Sequence, residues 1–398
     1  MNKKISLGSL ISIIILSVTL TFALTFVISL QYFNTKVNNL TERENLYKKI
    51  QEIDALVRSS YYGDIDEEFL LNSMCTGYVS GLDDPYSTYM TAEEYKRLSM
   101  QNAGNIVGIG ISVGKDSSGY LNVLKVYKDS PAESAEIQVG DTIVKVDDVD
   151  TSTVSLSEAG NLINGETGTK VSVVIRRSGE EKTLTITRRK ITLQSVEHRM
   201  IGSYGYVRIL EFNNSTVNQF NNALNAIRSQ NAAGIIFDVR NNSGGTLASV
   251  CEMLDKLLPK GAIVLGDGPD GNKQVLYESD DEALLLPMVC LVNENTASAA
   301  ELFASALRDY NKASLVGNTT FGKGVMQTTY QLTDGSAVRL TTGYFYPPKS
   351  GNFNGVGITP DYSVTLSADQ TAHLETLDET TDSQLAKAIE VISGLSMK

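Results

Sequence analysis

Between Lys4 and Lys36 the chain carries no charged residue, and Leu7 to Leu30 inside that gap is rich in Leu, Ile, Val and Phe. A helix needs about 20 apolar residues to cross a bilayer, so this run is long enough to span one. Lys3 and Lys4, ahead of it, favour a cytoplasmic N-terminus. A cleaved secretory signal would have an apolar region of roughly 7–15 residues followed by a small-residue cleavage site. This run is longer, and its far end, Phe26-Val-Ile-Ser-Leu-Gln-Tyr, has no A-x-A. It reads as an uncleaved single-pass anchor, and with either fate the remaining chain is expected outside the cytoplasmic membrane.

Composition narrows the function from the other side. The chain has 398 residues, 42% hydrophobic and 20% charged, which excludes wholesale disorder and suggests two or three domains. Its 34 basic and 46 acidic residues give a net charge of −12, a balance that repels phosphate backbones and argues against nucleic acid as a partner. Cys75, Cys251 and Cys290 have no CxxC spacing, and His198 and His373 are the two histidines. A zinc cluster, a disulfide framework and chemistry built on clustered histidines are therefore set aside, and no metal is expected.

The patterning changes along the chain. Residues 1–36 form the cytoplasmic tip and anchor. From 37 to 103 the pattern is helical, with Tyr47, Ile50, Ile53, Leu56 and Val57 at three- and four-residue spacing and a second helix over Glu67 to Tyr78. Leu82-Asp-Asp-Pro-Tyr then makes a turn. From 104 to 189 short β-rich runs (Ile106–Val113, Leu121–Val126, Thr142–Val146, Val171–Arg176, Lys182–Arg188) alternate with Gly and Asp turns and two short helices, Ala132–Ala135 and Leu156–Ile163. From 190 to 366 strands and helices alternate, which predicts a layered α/β domain. Its strands are expected at Tyr206–Phe212, Gly234–Val239, Ala262–Leu265 and Met288–Val292, its helices at Val217–Ser229, Thr246–Leu258 and Ser298–Tyr310. Residues 367–398 end in a helix, Ser383–Leu395.

The middle segment resembles a PDZ domain through four blocks in order: Gly108-Ile-Gly-Ile111, Ser130-Pro-Ala132, Val139-Gly-Asp-Thr-Ile143 and Gly165-Glu-Thr-Gly168. A glycine loop before a strand can aim several backbone N–H groups at one carboxylate, while the strand edge takes up the peptide as an added strand. The resemblance implies that Ile109, Gly110 and Ile111 line the carboxylate loop and that Leu162 faces the ligand's last side chain. Where many relatives carry a basic residue just before the glycine that is Gly165 here, this chain has Asn164.

Three later segments carry chemistry: Phe237-Asp-Val-Arg-Asn-Asn-Ser-Gly-Gly245, Asn295-Thr-Ala-Ser-Ala-Ala-Glu301 and Phe321-Gly-Lys-Gly-Val-Met-Gln327. Each has a bland reading. Ser298 could cap the helix that begins there, Lys323 could be a solvated hairpin tip, and Asn242-Ser-Gly-Gly245 could be a plain turn. Together they compose a nucleophilic site. A serine needs a base, and a lysine serves if burial depresses its pKa, because desolvation disfavours the ammonium. Gln327 is placed to hold that amine by a neutral hydrogen bond. The backbone N–H groups of Ala299, at a helix N-terminus, and of Gly244 are candidate oxyanion donors.

In this order the segments resemble the C-terminal processing peptidases, also called tail-specific proteases. The resemblance extends over Gly81-Leu-Asp-Asp-Pro-Tyr-Ser87, the PDZ-like module, Thr342-Gly-Tyr-Phe-Tyr-Pro347, Gly355-Val-Gly-Ile-Thr-Pro-Asp361 and the helix that begins near Asp382. It implies a nucleophile at Ser298, a general base at Lys323 and a supporting glutamine at Gln327. It further implies a cofactor-free serine endopeptidase with a crotonase/ClpP-like α/β core, an inserted PDZ-like domain and helical N- and C-terminal dimerisation elements, hence a homodimer. Substrates would be proteins captured by their C-termini, and some relatives serve sporulation signalling. Two rival readings are a catalytically silent PDZ scaffold and a crotonase-type acyl-CoA enzyme; the intact Ser298, Lys323 and Gln327 speak against the first, the anchor and PDZ-like module against the second.

Overall fold

A computed structural model describes residues 7–268 and 271–396. The chain divides into two compact units, 1–73 and 74–398, the boundary falling inside a helix. Helix α1 (Leu7–Ser60) is continuous over 54 residues. The two helical stretches legible in the sequence are thus one, since neither Gly nor Pro occurs from 9 to 62 to break it. Its Ser12–Ser29 portion is long and apolar enough to cross a membrane. Helix α2 (Glu67–Ser80) follows.

Strand β1 (Thr88–Met90) leads into α3 (Ala92–Asn102), which starts on a reciprocal cap: the Glu94 amide donates to the Thr91 hydroxyl at 3.3 Å and the Thr91 amide to the Glu94 carboxylate at 2.8 Å. The run Ile106–Val113 proves to be two strands. Asn105–Gly108 (β2) ends before Gly110 turns the chain at φ 84°, and Ile111–Lys115 (β3) begins beyond it. The first pairs with Arg189–Thr192 and the second with Leu121–Val126, so the two lie in different sheets. The rest of this module is β4 (Leu121–Val126), α4 (Pro131–Ser134), β5 (Thr142–Val146), β6 (Val149–Asp150), α5 (Leu156–Ile163), β7 (Lys170–Arg177), β8 (Glu180–Thr187) and β9 (Arg189–Thr192). Its antiparallel sheet has the order β3-β4-β5-β7-β8, with β6 on β5, so β3 is an outer edge. Ile109, Leu121, Val123, Ile143 and Val173 fill its core.

The larger core comprises β10 (Val196–Ile201), β11 (Tyr204–Ile209), α6 (Asn214–Ser229), β12 (Ile235–Asp238), α7 (Leu247–Asp255), β13 (Gly261–Gly266), β14 (Gln274–Ser279), β15 (Met288–Val292), α8 (Ala299–Asp309), β16 (Ala313–Gly317), β17 (Val325–Gln331), β18 (Ala337–Tyr346), β19 (Tyr362–Ser363), α9 (Ala368–Ala372) and α10 (Ser383–Ser396). Its main sheet runs β10-β11-β12-β15-β16-β19, parallel from β11 onward. Alternate residues of each strand face opposite sides. Ile235, Phe237, Cys290 and Leu315 face one side, where Phe220 of α6, Leu254 of α7 and Phe303 of α8 pack. Ile236, Val289, Leu291 and Val316 face the other, where Leu385, Ala388 and Ile392 of α10 cover them. Because both sides are covered, β12 and β15 are buried throughout and read in the sequence as unbroken apolar runs. The apolar face of α10 is thus spent inside its own chain. A second sheet, β1-β18-β13-β14 with β17 on β18, carries the segment that presents Lys323.

Candidate active site

The site forms where the parallel strands end, the usual position for ligand-binding loops in such sheets. The loops after β12 and β15 are laced together. Asn241 Oδ1 accepts from Asn293 Nδ2 at 2.7 Å and the Asn241 amide donates to Asn293 Oδ1 at 2.9 Å. The Thr296 hydroxyl donates to the Val239 carbonyl at 2.9 Å, and the Ala297 amide to the Asn242 carbonyl at 3.0 Å.

Ser298 sits at the strand-to-helix junction this lacing creates, immediately before α8. It occupies the helix-capping position, yet its hydroxyl makes no full capping bond and its backbone has φ 57° and ψ −118°. Such a conformation costs a non-glycine residue on the order of 1–3 kcal/mol and has to be imposed by its surroundings. The imposing group is Glu301, wholly buried. Its Oε2 accepts from the Ser298 amide at 2.8 Å and the Lys323 amide at 2.9 Å; its Oε1 accepts from the Thr320 hydroxyl at 2.6 Å and the Gly322 amide at 2.7 Å. One carboxylate therefore ties the backbone under the serine to the backbone under the lysine. Glu301 was missed as a functional residue, although Ser298-x-x-Glu301 has the capping-box spacing that flags it.

Gly244 lies directly beside the serine: a Cβ built on it would stand 2.9 Å from Ser298 Cβ and 3.0 Å from the Ala299 amide nitrogen. Its φ of 108° adds a second reason for glycine. The Ala299 amide has no acceptor among the described residues, as expected at the first turn of a helix. The Gly244 amide is not free in the same way, because it donates to Asn242 Oδ1 at 2.8 Å.

Lys323 is half-buried. Burial first, and the Arg339 charge second, push its amine below the ordinary lysine range, while Asp84 pulls the other way. Its Nζ rests 4.4 Å from the centre of the Tyr86 ring. Among the described residues this Nζ makes no hydrogen bond or ion pair, and the ring is its close contact. Gln327 departs from expectation: its amide makes only long contacts, 3.3 Å to Thr341 Oγ1 and 3.4 Å to the Val325 carbonyl, and none to Lys323. The cause is a register shift at Met326/Gln327 in the β17–β18 pairing, which sets Gln327 opposite Thr341.

The expected peptide-binding residues lie in the smaller module. Ile109 is fully buried in its core, so its side chain cannot touch a ligand and only its backbone is available. The Ile109 and Gly110 amides have no acceptor among the described residues, and Ile111 opens the edge strand β3. Leu162 is half-buried on α5 and packs against the module's core. Beside Asn164, Arg188 donates to the Leu162 carbonyl at 2.7 Å and the Ile163 carbonyl at 3.0 Å, at the C-terminal end of α5 where a positive charge is favoured. Among the described residues no group of His, Cys, Asp and Glu could hold a metal ion.

A strained serine beside two backbone amides, linked through a buried carboxylate to a half-buried lysine, has the parts of a serine hydrolase. Family comparisons agree. A model of peptidase family S41 matches residues 203–364, a PDZ domain model residues 123–177, and a model of the activating protease CtpB N-terminal domain residues 20–94. The chain belongs to peptidase family S41 and is a serine-type peptidase carrying a PDZ domain. Among its relatives, a probable CtpA-like serine protease of Staphylococcus saprophyticus is 34% identical over 94% of this chain and 76% of its own length. Its counterpart in Staphylococcus aureus is 34% identical over 89% and 72%. A putative S41 protease from Bacteroides fragilis shares the fold at TM-score 0.51 and 19% identity, over 84% of this chain and 91% of that one.

Proposed function

We propose that the chain is an endopeptidase with a Ser298–Lys323 dyad that captures protein C-termini in its PDZ domain and cleaves its substrates beyond the cytoplasmic membrane. The observation that carries the reading is the Glu301 carboxylate, one oxygen of which accepts from the backbone of both dyad residues. In the reaction Lys323, as neutral amine, takes the Ser298 proton while Oγ attacks the scissile carbonyl, and the resulting ammonium returns the proton to the leaving amine. The oxyanion is held by the Ala299 amide and by that of Gly244, which exchanges Asn242 Oδ1 for it. Gln327 supports the amine once the side chain turns from Thr341. The parallel sheet and its strand-end site are consistent with a crotonase/ClpP-like core.

The Ile109 and Gly110 amides are suited to a terminal carboxylate, with Ile111 pairing the peptide and Leu162 against its last side chain. The apolar run Ser12–Ser29 supports a single-pass anchor. Exposed Tyr47, Ile53, Leu56 and Phe69 support a homodimer through residues 37–103. Because the apolar face of α10 packs inside its own chain, residues 367–398 would join a dimer through other parts of that segment. Substrates are envelope or membrane proteins, with selective processing of a regulatory kind, as in sporulation signalling, one form of the same activity. The test of recognition is a binding assay with a peptide bearing a free C-terminus against its amidated twin. The free acid should bind about ten- to a hundredfold tighter, the worth of a charge-assisted set of hydrogen bonds; equal binding would remove carboxylate recognition.

A further inference from the structure

The Leu82-Asp-Asp-Pro-Tyr-Ser87 turn delivers a ring to Lys323. Building on the Ser298–Lys323 reading, we propose that Tyr86 is a positioning residue for Lys323: its ring holds the lysine as an ammonium ion away from Ser298, and the base becomes competent when Nζ leaves the ring.

The contact itself is close, with Nζ 4.4 Å from the ring centre. An ammonium is attracted to the negative face of an aromatic ring and a neutral amine is not. The ring is also firmly placed. Asp84 Oδ1 accepts from the Tyr86 amide at 3.1 Å, and Asp84 Oδ2 from the Ser87 hydroxyl at 2.5 Å. Ser87 Oγ in turn accepts from the Thr341 amide at 3.0 Å on β18. Next to it, Thr88 of β1 pairs with Arg339 of the same strand. Thr341 is also the residue that holds the Gln327 amide. The turn and the glutamine therefore share one small hydrogen-bonded framework, and the base meets it through the Tyr86 ring.

The charged groups around Lys323 divide into two sets. Tyr86 and Asp84, on the turn, favour the ammonium. Burial and Arg339, on β18, favour the amine. Arg339 Nε is buried without a partner, and among the described residues Arg339 forms no ion pair, so its charge is not cancelled locally. Glu301, on α8, is bonded to the Lys323 amide and to three other donors rather than to Nζ. Removing the ring should tip the balance towards the amine.

The experiment is the pH dependence of kcat/KM for the full-length protein in detergent, with an unstructured fluorogenic polypeptide as substrate. Tyr86→Leu keeps apolar bulk without the ring. Its acid limb should move down by about half to one pH unit, with kcat/KM about three- to tenfold above wild type on the acid side when each is scaled to its plateau. Tyr86→Phe, which keeps the ring, should leave the limb where wild type has it. Should Tyr86→Leu fail to fold by circular dichroism, a series of increasingly fluorinated phenylalanines at position 86 keeps the shape while draining the ring's negative face, and the limb should fall stepwise. A limb that stays put in the leucine variant or the fluorinated series, or a uniform loss of activity at every pH, overturns the proposal. Lys323→Ala separates this from the dyad itself: if that variant retains the wild-type limb, the limb does not belong to Lys323 and the dyad reading falls, whatever Tyr86 does.

Discussion

Ser298 and Glu301 illustrate how a short helix start can be made to serve two ends. The spacing is that of an ordinary cap, and Glu301 does accept the serine amide, but the hydroxyl makes no full capping bond and the backbone is forced to positive φ. Replacing Glu301 by Gln puts an NH2 where one carboxylate oxygen accepted two donors. The expected outcome is a stability loss on the order of 2–3 kcal/mol, measured by thermal or urea unfolding, with a marked fall in kcat. Unchanged kcat would show that the serine and lysine segments hold their places without it. A second residue-scale expectation concerns pH. Because burial and Arg339 depress the Lys323 pKa, the reactive amine exists above that lowered value, so activity should rise with pH on an acid limb below the usual lysine range. Arg339→Gln removes the second cause and should shift the limb upward. Two of the cysteines offer the contrasting case: burial pushes the Cys251 thiol up to about 12 and that of Cys290 upward as well, so thiol reagents should label only the partly exposed Cys75 until the protein unfolds. Ser298, Lys323 and Gly244 stand out in the sequence as candidates because their residue types and order fit a reaction. The Tyr86 contact does not, because it joins positions far apart in the chain through a ring usually read as packing.

At the scale of elements, the loop that carries Gly244 is fastened to the last helix. Arg240, just after β12, pairs with Asp238 at 2.6 Å and with Asp382 at 2.8 Å, and donates to Gln384 at 3.0 Å, all four residues buried. Tyr206 adds a hydrogen bond to Asp238 at 2.7 Å. Burial would raise the Asp238 carboxyl, but the Arg240 charge and these bonds outweigh it and hold it below the ordinary aspartate range. A lowered folded pKa means stability present above the unfolded value of about 3.9 and lost as pH falls through the folded one. Asp382→Ala leaves Arg240 paired with Asp238 but removes its second carboxylate and the acceptor of the Gln384 and Leu385 amides at the start of α10; it should cost about 2–3 kcal/mol at neutral pH, with unfolding curves as the check, and a loss below about 1 kcal/mol would show that α10 is held by its apolar face alone. The strands Leu121–Val126, Thr142–Val146 and Met288–Val292 were readable end to end, being apolar and bounded by turns. Strands β17 and β18 escaped notice because they are half-buried and threonine-rich, with little apolar alternation to mark them. The split of Ile106–Val113 was hidden because Ile109 is as apolar as its strand neighbours, although it fills the core between two sheets.

At the scale of the whole molecule, one chain joins an apolar N-terminal run, a PDZ domain and a family S41 peptidase core. Residues 12–29 should keep the protein in the membrane fraction through an alkaline carbonate wash, and release there would mark the run as something other than an anchor. The general architecture was legible from changes of period along the sequence, while the lacing of loops at the strand ends depends on contacts between distant asparagines and threonines that no local pattern records. The proposed chemistry needs Ser298 and Lys323 together. The most direct measurement is degradation of casein by the full-length protein in detergent, beside Ser298→Ala and Lys323→Ala variants shown to fold by circular dichroism. Wild type should cleave casein, and each variant should lose at least about a thousandfold, the usual consequence of removing a nucleophile or its base. Cleavage by either variant at the wild-type rate would contradict that chemistry.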